Sequence, residues 1–163
     1  MSIEHVLQSQ YLAGLEMLRQ AVVKCPVSQW EAKNSKGEYW HIAYHVLYYV
    51  HKNLQMSEKD FTPWNQAGEC SRAPAEVPCA SLAEPISAEA CSKDEILAYL
   101  EFCKLQVMEK LPGMQLEADS GFPWFPFSKL ELQIHSIRHI QHHASQLSER
   151  LEKDEVAWVT EVN

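Results

Sequence analysis

What this chain lacks narrows its class before any motif is read. No apolar run approaches the roughly 18 residues needed to cross a bilayer, and the opening segment MSIEHVLQSQ has no positive stretch leading into an apolar core. Basic residues are few and scattered: 14 Lys and Arg face 22 Asp and Glu, a formal charge of -8, with a pI near 5.4. With no basic cluster to follow a phosphate backbone, nucleic acid is an unsuitable partner. Cys-x-x-Cys is absent. The five cysteines, Cys25, Cys70, Cys79, Cys91 and Cys103, are odd in number and widely spaced, which fits reduced thiols rather than a disulfide framework. Cys103 sits in a helical pattern as a small core residue, and nothing beside Cys70 or Cys79 marks a nucleophile. No stretch reads convincingly as a strand, and no segment repeats. A cytoplasmic all-α protein is expected, with one domain over residues 1–163 and neither a membrane nor a nucleic acid as partner. At 46% apolar and 22% charged residues the chain can bury a core of ordinary size.

What is present is a set of punctuated helical patterns. A first helix is predicted from about Ile3 to Lys24, with Ser2 as its cap and Ile3, Val6, Leu7, Leu15, Leu18 and Val22 on its apolar side. Gly14 inside it weakens the helix or marks close packing. Residues Val27–Asn34 connect it to a second helix, predicted to follow a capping box of Ser35 with Glu38 and to run to about Gln55. That helix is apolar almost all round, as a central helix should be. Ser57–Cys91 is a long connection broken by Pro63, Pro74, Pro78, Pro85 and Gly68, with Phe61 and Trp64 placed to pin its start. A third helix opens on the capping box Ser92–Glu95 and ends at Pro112–Gly113. Met114–Phe127 then connects, carrying Phe122, Trp124, Phe125 and Phe127 as candidate core plugs. The fourth helix, Ser128–Lys153, opens on a capping box of Ser128 with Glu131 and contains no Gly or Pro. Trp158 beyond it is expected to pack back. Four helices and no strand predict an antiparallel four-helix bundle with a long connection between helices 2 and 3.

Histidines interrupt two of these helices. In the fourth, Leu130, Ile134, Ile137, Ile140, Ala144, Leu147 and Leu151 share one arc. On that wheel His143 falls inside the flank of the arc, His139 at its edge, and His135 and His142 further out. The His139-x-x-x-His143 spacing puts two imidazoles on neighbouring turns of one face, where they can share a metal ion. The second helix, within YWHIAYHVLYYVHKNL, carries His41, His45 and His51. His45 and His51 lie about 240° apart around the helix and cannot project to one point. The apolar pattern places His51 nearer the core face. Surface histidines or a hydrogen-bonded imidazole network remain alternatives to a metal centre. Near the fourth-helix pair, Ser136 and Gln146 are chemically weak as bases, and Glu149 is expected to face solvent.

The pairing of YWHIAYHVLYYVHKNL with LELQIHSIRHIQHHASQLSERL resembles the DinB/YfiT-like superfamily of metal-binding four-helix proteins. The likeness lies in the helix order, the aromatic-rich second helix built around Tyr-His, and the Arg-His-x-x-x-His pattern followed by Gln-Leu. It implies one divalent metal held by His45, His139 and His143. Zinc or nickel leads, with iron, copper and manganese as alternatives, since imidazole suits several of these ions. Ala144-Ser145 stands where relatives often have Gly before Gln-Leu, and His51 where they often carry an acidic residue. Three neutral ligands with an open position describe a catalytic site rather than a structural one. The resemblance thus implies a small metal-dependent enzyme, a thiol S-transferase or a hydrolase, taking a small-molecule substrate such as a low-molecular-weight thiol. The rival is a non-catalytic metal-binding stress or sensor protein. A homodimer is the one protein assembly kept open.

Overall fold

A computed structural model describes residues 2–32, 37–64 and 89–152. Among them are five α-helices: α1 (Ile3–Lys24), α2 (Val27–Trp30), α3 (Tyr39–Asn53), α4 (Lys93–Lys110) and α5 (Lys129–Glu152). Single 3-10 turns occupy Glu58–Asp60 and Leu111–Gly113. The only pairing of extended backbone among the described residues is an isolated bridge between Asp119 and Ser128, so the described chain is all-α. None of its helices is long and apolar enough to cross a membrane.

The helix starts follow local chemistry. Ser2 caps α1 by accepting from the His5 N–H. The reciprocal box of Ser92 and Glu95 is formed at α4. At α5 the Glu131 N–H donates to the Ser128 hydroxyl, and the Glu131 carboxylate accepts from the Ser128 N–H. The start of α3 differs from expectation. Glu38 is its N-cap rather than a third-position partner, because Gly37, at φ 87°, turns the chain just ahead of it. The Glu38 carboxylate instead accepts from Trp40 Nε1 at 2.7 Å. Ser35, Lys153 and Trp158 lie outside the described residues. The expected connection after α1 contains the short α2, whose buried Trp30 donates from Nε1 to the Cys91 carbonyl at 2.7 Å and so ties down the approach to α4.

Helix α1 packs on α4 and α5, and α3 packs on the same two. Tyr11, Leu15 and Leu18 of α1, Trp40, Tyr44 and Leu47 of α3, Tyr99, Leu100 and Cys103 of α4, and Ile140, Ala144 and Leu147 of α5 share one core. Gly14 marks a close approach: a Cβ there would lie 3.2 Å from Ile140 Cγ2. Buried polar atoms set the register. Tyr11 Oη donates to Gln133 Oε1 at 2.7 Å, and Gln133 Nε2 donates to the Asn53 carbonyl at 3.0 Å, linking α1, α5 and the end of α3. Phe61 and Trp64 do pin the chain after α3: Trp64 stacks on Tyr99 at 4.5 Å, and Phe61 meets Tyr48 edge-on at 4.9 Å.

Some expectations fail. Ile3 and Ile134 are exposed rather than on the buried side of their helices, left uncovered by the other described helices. Of the aromatic cluster before α5 only Phe122 is buried; Trp124 is 43% and Phe127 55% exposed. The backbone accounts for this. Ser120 Oγ donates to the Phe125 carbonyl at 2.6 Å and accepts from the Phe122 N–H, and Phe125 N–H closes a turn on the Phe122 carbonyl at 2.9 Å. That turn aims Trp124 outwards. Cys25 and Cys103 are buried thiols outside any disulfide, whereas Cys91 is disulfide-bonded, against the expectation of reduced thiols. Spacing along the chain does not limit which cysteines folding brings within bonding distance.

The 114–127 connection is fastened to the end of α3. Lys129 is buried at the start of α5, and its ammonium donates to the carbonyls of Gln55 at 2.9 Å, Met56 at 3.0 Å and Ser120. Burial pushes its pKa down to about 8, with Asp60 opposing. Gly121, at φ 80°, would place a Cβ 2.2 Å from the Met56 carbonyl oxygen. Gly121→Ala combines a left-handed backbone with this clash and should destabilise the protein by about 2–4 kcal/mol. Chemical denaturation checks it: the midpoint should fall with the slope unchanged.

Candidate metal centre

The α3–α5 contact brings three imidazoles to one point. On α5, His139 and His143 are one turn apart on the same side, and buried Ile140, Ala144 and Leu147 seat that helix in the core. On α3, His45 meets them. His45 Nε2 lies 3.1 Å from His139 Nε2, and His143 Nε2 lies 3.1 Å from the same atom. One ligand atom from each residue lies within 4.8 Å of the others. Nitrogens bound to a tetrahedral ion at 2.0–2.1 Å would stand about 3.3–3.4 Å apart, close to the two 3.1 Å separations at His139.

The protonation states suit ligation. Burial, followed by the fields of His143, His45, His135 and His142, holds the His139 pKa down at about 2. Burial lowers His143 to about 4 against its hydrogen bond to Gln146, with His142 lowering it further. Both rings are therefore neutral at pH 7, as metal-binding imidazoles must be. His143 Nδ1 is 2.8 Å from Gln146 Oε1. An amide oxygen only accepts, so Nδ1 carries the proton and Nε2 presents its lone pair to the other two rings. Gln146, read from sequence as a weak base, instead orients one imidazole of the triad.

The remaining histidines divide. His135 is half-buried and stacked beside His139 with centroids 6.4 Å apart; burial, then Arg138, lowers its pKa. His142 is exposed on α5 and touches His143 edge-on at 4.8 Å. His41 is buried against Trp40, at 5.5 Å. His51 is as well covered as the apolar pattern suggested, yet it faces α4, where its Nδ1 is 3.2 Å from Tyr99 Oη. Tyr99 keeps its proton, since burial raises its pKa well above the usual value. Burial, then Lys110, lowers His51 to about 4. A cavity of about 340 Å³ opens beside His51, Gln55, Trp64 and Phe102 and is not lined by the triad.

Tyr49, on the aromatic-rich helix α3, also borders the triad. Its ring meets His45 edge-on at 4.9 Å and His139 at 5.4 Å, walling one side of the triad. Only its aromatic character was legible, shared with Tyr44 and Tyr48 on the same helix. Against the known proteins compared, the chain matches no family model, no curated protein and no solved structure.

Two measurements test this arrangement. Gln146→Ala should weaken metal binding about 10-fold by freeing the His143 tautomer, read by chelator competition, while Gln146→Glu, which keeps an acceptor at that position, should bind at near wild-type strength. The second concerns His51, whose folded pKa lies below its unfolded value. The unfolded chain gains the extra proton as pH falls from about 6.5 to 4, so stability is present above that window and declines through it. His51→Leu should make the decline shallower by up to about 1.4 kcal/mol per pH unit, measured by denaturation at pH 7, 6, 5 and 4.

Proposed function

We propose that this chain is a DinB/YfiT-like four-helix protein in which His45, His139 and His143 hold one divalent ion, zinc or nickel first. Its role in this reading is that of a small metal-dependent enzyme, a thiol S-transferase or a hydrolase. The observation that carries the proposal is the convergence of two 3.1 Å contacts on one atom, His139 Nε2. A ring nitrogen offers one proton or one in-plane lone pair. A hydrogen-bonded network can therefore make only one of the two contacts with good geometry. A shared cation accounts for both.

When bound, a divalent ion held by three neutral imidazoles lowers the pKa of a water or thiol at its open position towards neutrality. The chain's own residues prepare that chemistry. Gln146 fixes the His143 tautomer, Tyr49 packs edge-on against His45 and His139, and burial keeps His139 and His143 uncharged. The alternative, a non-catalytic metal-binding stress or sensor protein, is favoured by one observation: the three-residue group contains no carboxylate to act as a general base, and Glu149 is exposed.

The test begins with metal analysis of protein purified without an affinity tag, which should find about one zinc or nickel per chain. His139→Ala/His143→Ala should lose it. Metal-loaded wild type is then assayed against that variant across thiol–electrophile pairs and ester or amide substrates. Turnover confined to wild type is expected. Stoichiometric metal with no turnover above the variant would transfer the assignment to the sensor reading, and absence of metal from wild type would sink both.

A further inference from the structure

Of the three triad residues only His139 meets solvent; His45 and His143 are 0% and 1% exposed. Whatever reaches the triad therefore arrives on the His139 side. That side is framed by rings. Tyr49 stands edge-on to His139 at 5.4 Å, and His135 lies parallel to it at 6.4 Å. Trp124 bridges the two, 6.3 Å from Tyr49 at 84° and 6.4 Å from His135 at 62°. Phe125 closes the frame against His135 at 5.2 Å.

Trp124 is nearly half exposed, an unfavourable place for the largest apolar side chain, and yet its loop is held firmly. The Gly121 carbonyl accepts from Glu58 N–H at 3.2 Å, the Phe127 carbonyl accepts from Ser120 N–H at 2.9 Å, and buried Lys129 ties Ser120 to the end of α3. An exposed indole on a mobile loop would say little. On a fastened turn beside the one accessible ligand of the triad, it is a preorganised recognition surface.

The geometry points to a small aromatic ligand as what this mouth receives, with Trp124 stacking on its ring while a donor atom one or two bonds from the ring reaches the triad. The inference rests on the metal-centre reading and adds the substrate class. Trp124 is a binding residue here, and Tyr49 and His135 set the width of the entrance. Aromatic rings recognise a flat π-face beyond mere apolar area, so the preference is for an aromatic ring over a saturated one of equal size.

Cobalt(II)-loaded protein gives a readout independent of turnover, because a thiolate joining the ion adds a charge-transfer band. The probes are benzyl mercaptan and cyclohexylmethanethiol, alike in size but not in aromaticity, with affinities corrected for each thiol's own acidity. Wild type should bind benzyl mercaptan about 3- to 10-fold more tightly, the span that an aromatic pair contributes. Trp124→Ala should abolish that preference while keeping the cobalt d–d spectrum, which shows the centre intact, and Trp124→Phe should retain most of it. A cobalt centre that binds both thiols equally, or whose preference survives in Trp124→Ala, overturns the inference and leaves the metal reading standing. Failure of wild type to bind cobalt at all overturns both.

Discussion

The placement of three imidazole nitrogens around one point inside the α3–α5 contact constrains everything nearby. Removing charged imidazoles from water is costly, so the rings must be neutral there, and burial enforces this at His139 and His143. Neutral rings in turn need their lone pairs used. Two nitrogens facing the same atom at 3.1 Å form a locally unfavourable arrangement unless something positive is shared between them. The surrounding packing, from Ile140 against Gly14 on one side to Tyr49 on the other, holds α5 close enough to α3 to maintain it.

The same contact explains the treatment of the connection before α5. A helix that brings two imidazoles to one point must start at a defined place, and its start is over-determined. The Ser128–Glu131 box caps it, while Lys129 crosses to the end of α3 and gathers carbonyls from both segments. Gly121 allows the connection to lie directly on Met56. The consequence reaches the surface: the ring displayed there, Trp124, has a fixed relation to His139 through Tyr49 and His135. Fold stability and the shape of the site entrance depend on the same few hydrogen bonds.

Helix existence and most boundaries were legible because they rest on local signals. Ser92–Glu95 and Ser128–Glu131 act within one turn, and Pro26 and Pro112 end helices without any tertiary help. Where local signals misled, a specific competitor prevailed. Gly37 in a left-handed conformation displaced the start of α3 beyond the box expected at Ser35 and Glu38. Ile134 obeyed the wheel in angle but met no partner on that flank. Four aromatic residues before α5 suggested a plug, yet hydrogen bonds from Ser120 turned Trp124 outwards.

Of the candidate site, the sequence by itself determined the α5 half. His139 and His143 must share a face because a helix repeats every 3.6 residues, whatever surrounds it. It also determined that α3 would be covered on every side, since its apolar residues leave no polar face. Which α3 histidine meets them was beyond periodicity, which pointed to His51, because a helix buried nearly all round discriminates poorly between its faces. The tertiary structure decided it by what stands opposite each face: Tyr99 of α4 beside His51, and the two α5 imidazoles beside His45. The role of Gln146 and the framing by Tyr49 and Trp124 were settled in the same way. Hydrogen-bond direction and ring orientation are properties of packed neighbours, and those exist only after the helices have docked.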